Sequence, residues 1–188
     1  MTKRISLSEI AHDIVREYLR EGDASIDATL GNGHDTLFLA QCVGATGHVY
    51  GFDIQIQALE ATKLGLHEYE MLSRATLFLA SHAEMLGHVP RSVRAIMFNL
   101  GYLPRADKNI ITRADSTLLA LNQACNLLAE EGVMTVMVYP GHAGGEEEAR
   151  QVEQWVQQLD SEQYQSQIIF SQHHKISAPR LFVVRKFT

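Results

Sequence analysis

The ten residues Ile26-Asp27-Ala28-Thr29-Leu30-Gly31-Asn32-Gly33-His34-Asp35 constrain this chain more than any other stretch. They read as the end of a buried strand, a tight glycine turn and the start of a helix. A further apolar run closes on Asp53, 20 residues after Gly33. A strand, a glycine turn, a helix and a second strand ending in a carboxylate make a nucleoside-binding device. The glycines let the backbone approach the ligand, and the carboxylate holds ribose hydroxyls. The segment points to an adenosine-containing cofactor.

The rest of the chain supports a sheet with helices on both faces. Residues 6 to 20 carry Ile10, Ile14, Val15, Tyr18 and Leu19 at helical spacing, with Ser6 or Ser8 as the cap. Strands are expected at 24 to 29, 48 to 53, 75 to 80, 93 to 98 and 133 to 139. Helices are expected from Gly33 through Cys42, over 55 to 72, over 115 to 130 closed by Gly132, and over 145 to 160. Alternating strands and helices predict a parallel, doubly wound sheet. Two last strands, Ile168 to Ser171 and Leu181 to Lys186, are joined by a connection too short for a crossover helix, so they are expected to pair antiparallel. Ligands of such sheets bind at the carboxyl ends of the strands.

Composition narrows the class. With 188 residues and 46% hydrophobic content, one domain with a sizeable core is expected. No run approaches the roughly 20 apolar residues of a membrane span, and the first residues do not read as a secretory signal. Cys42 and Cys125 form no disulfide or zinc pattern and read as reduced thiols of a cytoplasmic protein. The net charge of −6 disfavours a general nucleic-acid binder. Short basic clusters (Lys3 and Arg4; Arg105, Lys108 and Arg113; Lys175, Arg180, Arg185 and Lys186) would matter only if they met on one side of the fold.

The glycine turn discriminates between cofactors. A nicotinamide fingerprint needs a third glycine where this chain has Thr36, and no Gly-Lys-Ser or Gly-Lys-Thr follows the turn to make a phosphate loop. The pattern resembles class I S-adenosyl-L-methionine-dependent methyltransferases: a Rossmann-like, seven-stranded, mostly parallel sheet with an antiparallel C-terminal strand pair. Asp27 before Gly31 and Gly33, Asp53 after the second strand, and Ser81-His82-Ala83-Glu84 after the third fit the family's cofactor positions.

A narrower resemblance covers nearly the whole chain. It is carried by Asp27 to Thr36, Phe98-Asn99-Leu100-Gly101-Tyr102-Leu103-Pro104, Asp107-Lys108, Thr112, and Tyr139-Pro140-Gly141-His142 with the acidic helix behind it. These segments are similar to a family labelled rRNA methylases and associated with methylating 5-aminomethyl-uridine, including its 2-thio form, at the tRNA wobble position. Arg105-Ala106 departs from the glycine-rich residues expected there.

Asn99-Leu100-Gly101-Tyr102 suits an amine methyltransferase. The Asn99 oxygen and the Leu100 carbonyl would accept hydrogen bonds from the amine, and the Tyr102 ring would stack on the base, worth about 1–3 kcal/mol. An alkylamine is protonated near neutral pH, as Lys is, and must first lose a proton. The candidate bases are Tyr139 and His142.

On this reading Asp27, Thr29, Gly31, Asn32, Gly33, Asp35, Thr36, Asp53, Gln55, His82, Asn99 and Gly101 serve the cofactor, and Asn99 and Tyr102 the chemistry. Tyr102, Asp107, Lys108, Arg113, Tyr139, His142 and Arg180 face the substrate, a tRNA anticodon loop. Arg180 either holds a phosphate or pairs with the acidic surface. His34 reads as a helix start, and His173-His174 as a loop that touches RNA rather than a metal site. The helix at 6 to 20 or a sheet edge offers a homodimer contact. The alternatives are an rRNA or small-molecule methyltransferase on the same scaffold, and an NAD-binding oxidoreductase or non-catalytic nucleotide-binding protein.

Overall fold

The computed structural model describes residues 5–90, 92–101, 114–141, 144–171 and 177–187. The first helix, α1, spans Leu7–Tyr18. Ser6 caps it: its hydroxyl accepts from the Glu9 amide at 3.1 Å, and the Glu9 carboxylate accepts from the Ser6 amide at 2.7 Å. Leu7, Ala11 and Val15 recur every four residues and form its buried stripe. Strand β1 (Ala24–Asp27) then leads through the glycine turn to α2 (His34–Val43), β2 (His48–Asp53) and α3 (Ile56–Glu68). Next come a 3₁₀ turn at Leu72–Arg74, β3 (Ala75–Leu79), a second 3₁₀ turn at His82–Glu84 and the single-turn α4 (Met85–His88). The second half holds β4 (Val93–Asn99), α5 (Ala114–Leu127), β5 (Leu128–Val138), α6 (Gly145–Gln157), β6 (Tyr164–Phe170) and β7 (Arg180–Lys186).

The seven strands lie in the order β3-β2-β1-β4-β5-β7-β6. Strands β1 to β5 pair in parallel, while β7 runs antiparallel to both β5 and β6. The chain winds outward from β1 to β3 and then in the other direction from β4, so the strand order reverses between β1 and β4. The carboxyl ends of those two strands flank the crevice where this architecture binds ligands.

Side chains alternate between two cores. Ile26, Phe52, Ile96, Phe98, Val136 and Phe182 pack against α4, α5 and α6. Val49, Ala95, Met97, Met137 and Val183 pack against α1, α2 and Leu66 of α3. Phe52, Phe98 and Phe182 are fully buried, each worth about 1.5–3 kcal/mol relative to exposure.

The expected elements are present with three adjustments. The helix expected over 55 to 72 ends at Glu68, because Glu70 takes a left-handed φ of 56° and breaks it before the 3₁₀ turn at Leu72–Arg74. The helix expected to reach residue 130 ends at Leu127. Strand pairing begins at Leu128 opposite Val93, breaks around Glu131 (φ 55°), and resumes with Ala95 opposite Val133. Strand β6 starts four residues earlier than its apolar signal, at Tyr164, because it is a sheet edge and Gln165, Ser166 and Gln167 face water.

Candidate functional site

The glycine turn is built by backbone geometry. Gly31 takes φ 53° and Gly33 φ 79°, values that suit residues without a Cβ. The Gly33 amide donates to the Leu30 carbonyl at 2.8 Å and closes the turn. A Cβ on Gly33 would stand 2.8 Å from the Thr62 Cα of α3. That glycine is therefore required by packing of the loop on the next helix. Gly31 stands at the partly open face, with Asn32 exposed beside it.

Asp53 clasps this loop to α3. One carboxylate oxygen accepts from the Gly31 amide at 3.1 Å, and the other accepts from the Gln55 amide at 2.9 Å. Each oxygen retains a free lone-pair direction. Thr29 joins the loop to β4, its hydroxyl accepting from the Asn99 amide at 2.7 Å. The Leu100 amide donates to the Met137 carbonyl at 2.9 Å, so the tip of β4 is tied on both sides. The Asn99 residue is exposed, Leu100 is buried and Gly101 has φ 148°.

Two residues expected at the cofactor lie beneath the loop instead. Asp27 and Thr36 are both wholly buried. The Thr36 hydroxyl donates to one Asp27 oxygen at 2.6 Å, and the Thr29 amide donates to the other at 3.1 Å. The pair braces the turn from below. Burial, with the nearby Asp35 charge, pushes the Asp27 carboxyl up to about 7. The short Asp27 side chain, at the end of a central strand, points into the layer beneath the turn.

His82 sits in the 3₁₀ turn after β3, 9% exposed, its ring edge-on to Phe98 at 6.0 Å. Burial lowers its proton affinity, partly offset by a backbone hydrogen bond to Ala28 and the charge of Asp53. Its Nε2 is buried with no hydrogen-bond partner among the described residues. A reciprocal Ser81–Glu84 cap and Gln123 of α5, whose side-chain amide nitrogen donates to the Ala83 carbonyl, hold this turn.

On the far side of β4, Tyr139 follows β5. It shares a hydrogen bond with Ser8 of α1, and burial raises its phenol. Asp35, in the first turn of α2, accepts from or donates through His12 of α1: His12 Nε2 and Asp35 Oδ1 are 2.6 Å apart. His12 stands in no motif of the sequence. Its signal is the position four residues after Ser8 on the α1 face, legible only once α1 is known to cross α2.

Arg180 is not available to a phosphate. Its guanidinium reaches Glu146 at 3.3 Å and Glu153 at 3.4 Å on α6, with 15% of its side chain exposed. Arg185 donates to Tyr18 at 3.0 Å, and Lys186 to the Leu128 carbonyl at 2.9 Å. The described members of the C-terminal basic cluster thus have internal partners. Tyr102, Asp107, Lys108, Arg113, His142 and His173-His174 lie outside the described residues.

A model of the family described as "Putative rRNA methylase" matches residues 49–185. The chain belongs to that family. Among its relatives, an Arabidopsis thaliana protein described as "tRNA (mnm(5)s(2)U34)-methyltransferase, chloroplastic" is 41% identical over 163 residues, covering 80% of this chain and 58% of that protein. The chain thus spans less than two thirds of that relative. A "putative rRNA-methylase" from Clostridium thermocellum superposes with a TM-score of 0.94 at 37% identity, over 100% of both chains. A "putative methyltransferase" from Streptococcus mutans, solved in complex with SAH, superposes with a TM-score of 0.88 at 33% identity, again over 100% of both. This rRNA methylase family member has the class I methyltransferase fold expected from its sequence. Among its described residues, no helix is long and apolar enough to cross a membrane.

Proposed function

We propose that this chain, acting as one domain, transfers the methyl group of S-adenosyl-L-methionine to the amine of 5-aminomethyl-uridine, or its 2-thio form, at the tRNA wobble position. The product is the 5-methylaminomethyl nucleoside. The observation that carries the reading is the grouping at the β1–β2–β4 edge: a left-handed Gly31 clasped by Asp53, with the orphaned Nε2 of His82 beside it.

These residues fit an adenosyl cofactor. Asp53 keeps lone pairs for ribose hydroxyls, Gly31, Asn32 and Gly33 leave the backbone open, and His82 has an unsatisfied ring nitrogen for the base. Gln55 flanks the ribose side, and Thr29 and Gly101 frame the β4 end of the crevice. Asp27 and Thr36 serve by holding the turn. The bound cofactor supplies a methyl group already activated by its sulfonium, so the protein's work is alignment and exclusion of water. Asn99 and the Leu100 carbonyl orient the amine, and Tyr102 stacks on the base. We assign Asp107, Lys108, Arg113 and His142 to the RNA substrate from their sequence motifs. A wobble base lies in a loop and can be splayed into the crevice at modest cost.

The substrate rests on the description of the plant relative, and a cytoplasmic setting accords with two free cysteines. A second reading, rRNA as substrate, is favoured by the family's description. Calorimetric titration with S-adenosylhomocysteine and with NAD tests the cofactor. Binding of the first and not the second is expected; NAD binding alone would overturn the reading. Asn99→Ala is expected to keep cofactor affinity and lose methyl transfer.

A further inference from the structure

We propose that the His12–Asp35 pair is the proton acceptor for the amine that this site methylates. The inference rests on the amine-methylating reading above and deepens it.

Strand alternation places the pair. Ala95 and Met97 of β4 pack on the face covered by α1 and α2, while Ile96, Phe98 and Leu100 pack on the other. Residue 99 therefore falls on the α1–α2 face at the carboxyl edge. Asp35 stands in the first turn of α2, across the glycine turn from β1, and Tyr139 directly follows β5; β1 and β5 are the two strands that flank β4. Asp35 lies near enough to both Asp27 and Tyr139 for its charge to raise each of them. Ser8, one helical turn before His12, bonds Tyr139. Asn99, Asp35, His12, Ser8 and Tyr139 thus share the α1–α2 face toward the carboxyl edge of the sheet.

His12 is held for this task. Its ring lies flat on Phe38, centroids 3.9 Å apart and 4° from parallel, and Nε2 meets Asp35 at 2.6 Å. The two side chains are 24% and 15% exposed, shielded but in reach of water. The neighbouring charged and titratable groups are Asp27 below, Tyr139 after β5, Arg16 over the other part of Phe38, and Cys42 beside Arg16. From β7, Arg185 is tied to Tyr18 at the far end of α1.

The chemistry requires such a group. An alkylammonium has no lone pair, and its pKa is about 10.4 if it resembles Lys. The ammonium passes one proton to the Asp35 carboxylate, which shares it with the His12 imidazole. The freed nitrogen pair forms the N–CH₃ bond as the C–S bond breaks, and sulfur keeps that bond's electrons. The product is a secondary ammonium, and the pair returns its proton to water through the partly open imidazole. In this account Asp35, assigned to the cofactor from sequence, meets the amine, and His12 takes the proton onward through it.

The test uses the whole chain and tRNA bearing 5-aminomethyl-2-thiouridine. Single-turnover methyl transfer is measured from about pH 6 to 10 for wild type, His12→Gln and Asp35→Asn, with S-adenosylhomocysteine affinity read by calorimetry. General-base removal is expected to slow transfer about 100-fold near neutrality. The variant rates should then climb about tenfold per pH unit toward the wild-type rate as the ammonium deprotonates unaided, with analogue affinity unchanged. A wild-type pH profile in both variants overturns the proposal, as does a loss of analogue affinity that matches the loss of rate. Should one variant fail to fold, the other carries the test. If wild type binds the analogue yet never methylates this tRNA, the substrate reading fails and this proposal falls with it.

Discussion

The substitution Asp27→Asn should make the protein more stable at alkaline pH, and the structure sets the size of the gain. Asp27 is wholly buried and holds its proton up to about pH 7, against 3.8 for a free side chain. The folded state therefore binds this proton more tightly than the unfolded chain. Proton-linked stability is complete below about pH 4 and is lost as pH rises toward about 7. At about 1.4 kcal/mol per tenfold change in proton affinity, the whole window corresponds to about 4 kcal/mol, and the part between pH 5 and 8 to about 2–3 kcal/mol. The carboxamide introduced by Asp27→Asn would still accept from the Thr29 amide through its oxygen. Its nitrogen could donate to the Thr36 hydroxyl oxygen, reversing one bond; the cost of the displaced hydroxyl hydrogen is the same at every pH and leaves the pH-dependent difference intact. Urea unfolding of wild type and variant, without cofactor, at about pH 5, 6.5 and 8 reads the difference. The variant should gain about 2–3 kcal/mol on wild type across that range. Parallel curves would refute the reasoning, because they would mean that Asp27 titrates alike folded and unfolded.

Other sites give distinct outcomes. Gly33→Ala places a Cβ 2.8 Å from Thr62 at a φ of 79°, and should cost about 1–3 kcal/mol in the same assay. Thr117→Val removes the 2.7 Å hydroxyl bond to the buried Glu148, which joins α5 to α6; a loss of about 1–3 kcal/mol is expected, and an unchanged melting curve would contradict it. His82→Ala should weaken S-adenosylhomocysteine binding in calorimetry by about tenfold, the effect of one lost hydrogen bond of about 1.4 kcal/mol. Arg180→Gln should leave tRNA affinity and its salt dependence unchanged, since both guanidinium contacts are internal; a salt slope reduced by about one would restore the phosphate role.

The sequence read well where one physical demand dominates. Residues 48–53 form an apolar run that ends in Asp53, and they form β2 at those bounds. The antiparallel pairing of the last strands followed from connection length alone, although only the structure shows β7 inserted between β5 and β6. Reading failed where two demands share a residue type. Leu127, Leu128 and Ala129 suit a helix or a strand equally, and the backbone break at Glu131 decides between them. Gly33 read as cofactor approach, yet it also answers to Thr62, a neighbour 29 positions away. Asp27 and Asp35 looked like equivalent carboxylates. Their difference, one sealed under Thr36 and the other held by His12, depends on contacts between α1 and α2 that no local pattern encodes.

Mass spectrometry of nucleosides after incubating this protein with S-adenosyl-L-methionine and tRNA bearing 5-aminomethyl-2-thiouridine tests the central claim most directly. The account predicts conversion of that nucleoside to its 5-methylaminomethyl form, with one methyl gained per wobble position. An unconverted wobble nucleoside alongside methyl incorporation into ribosomal RNA would contradict it.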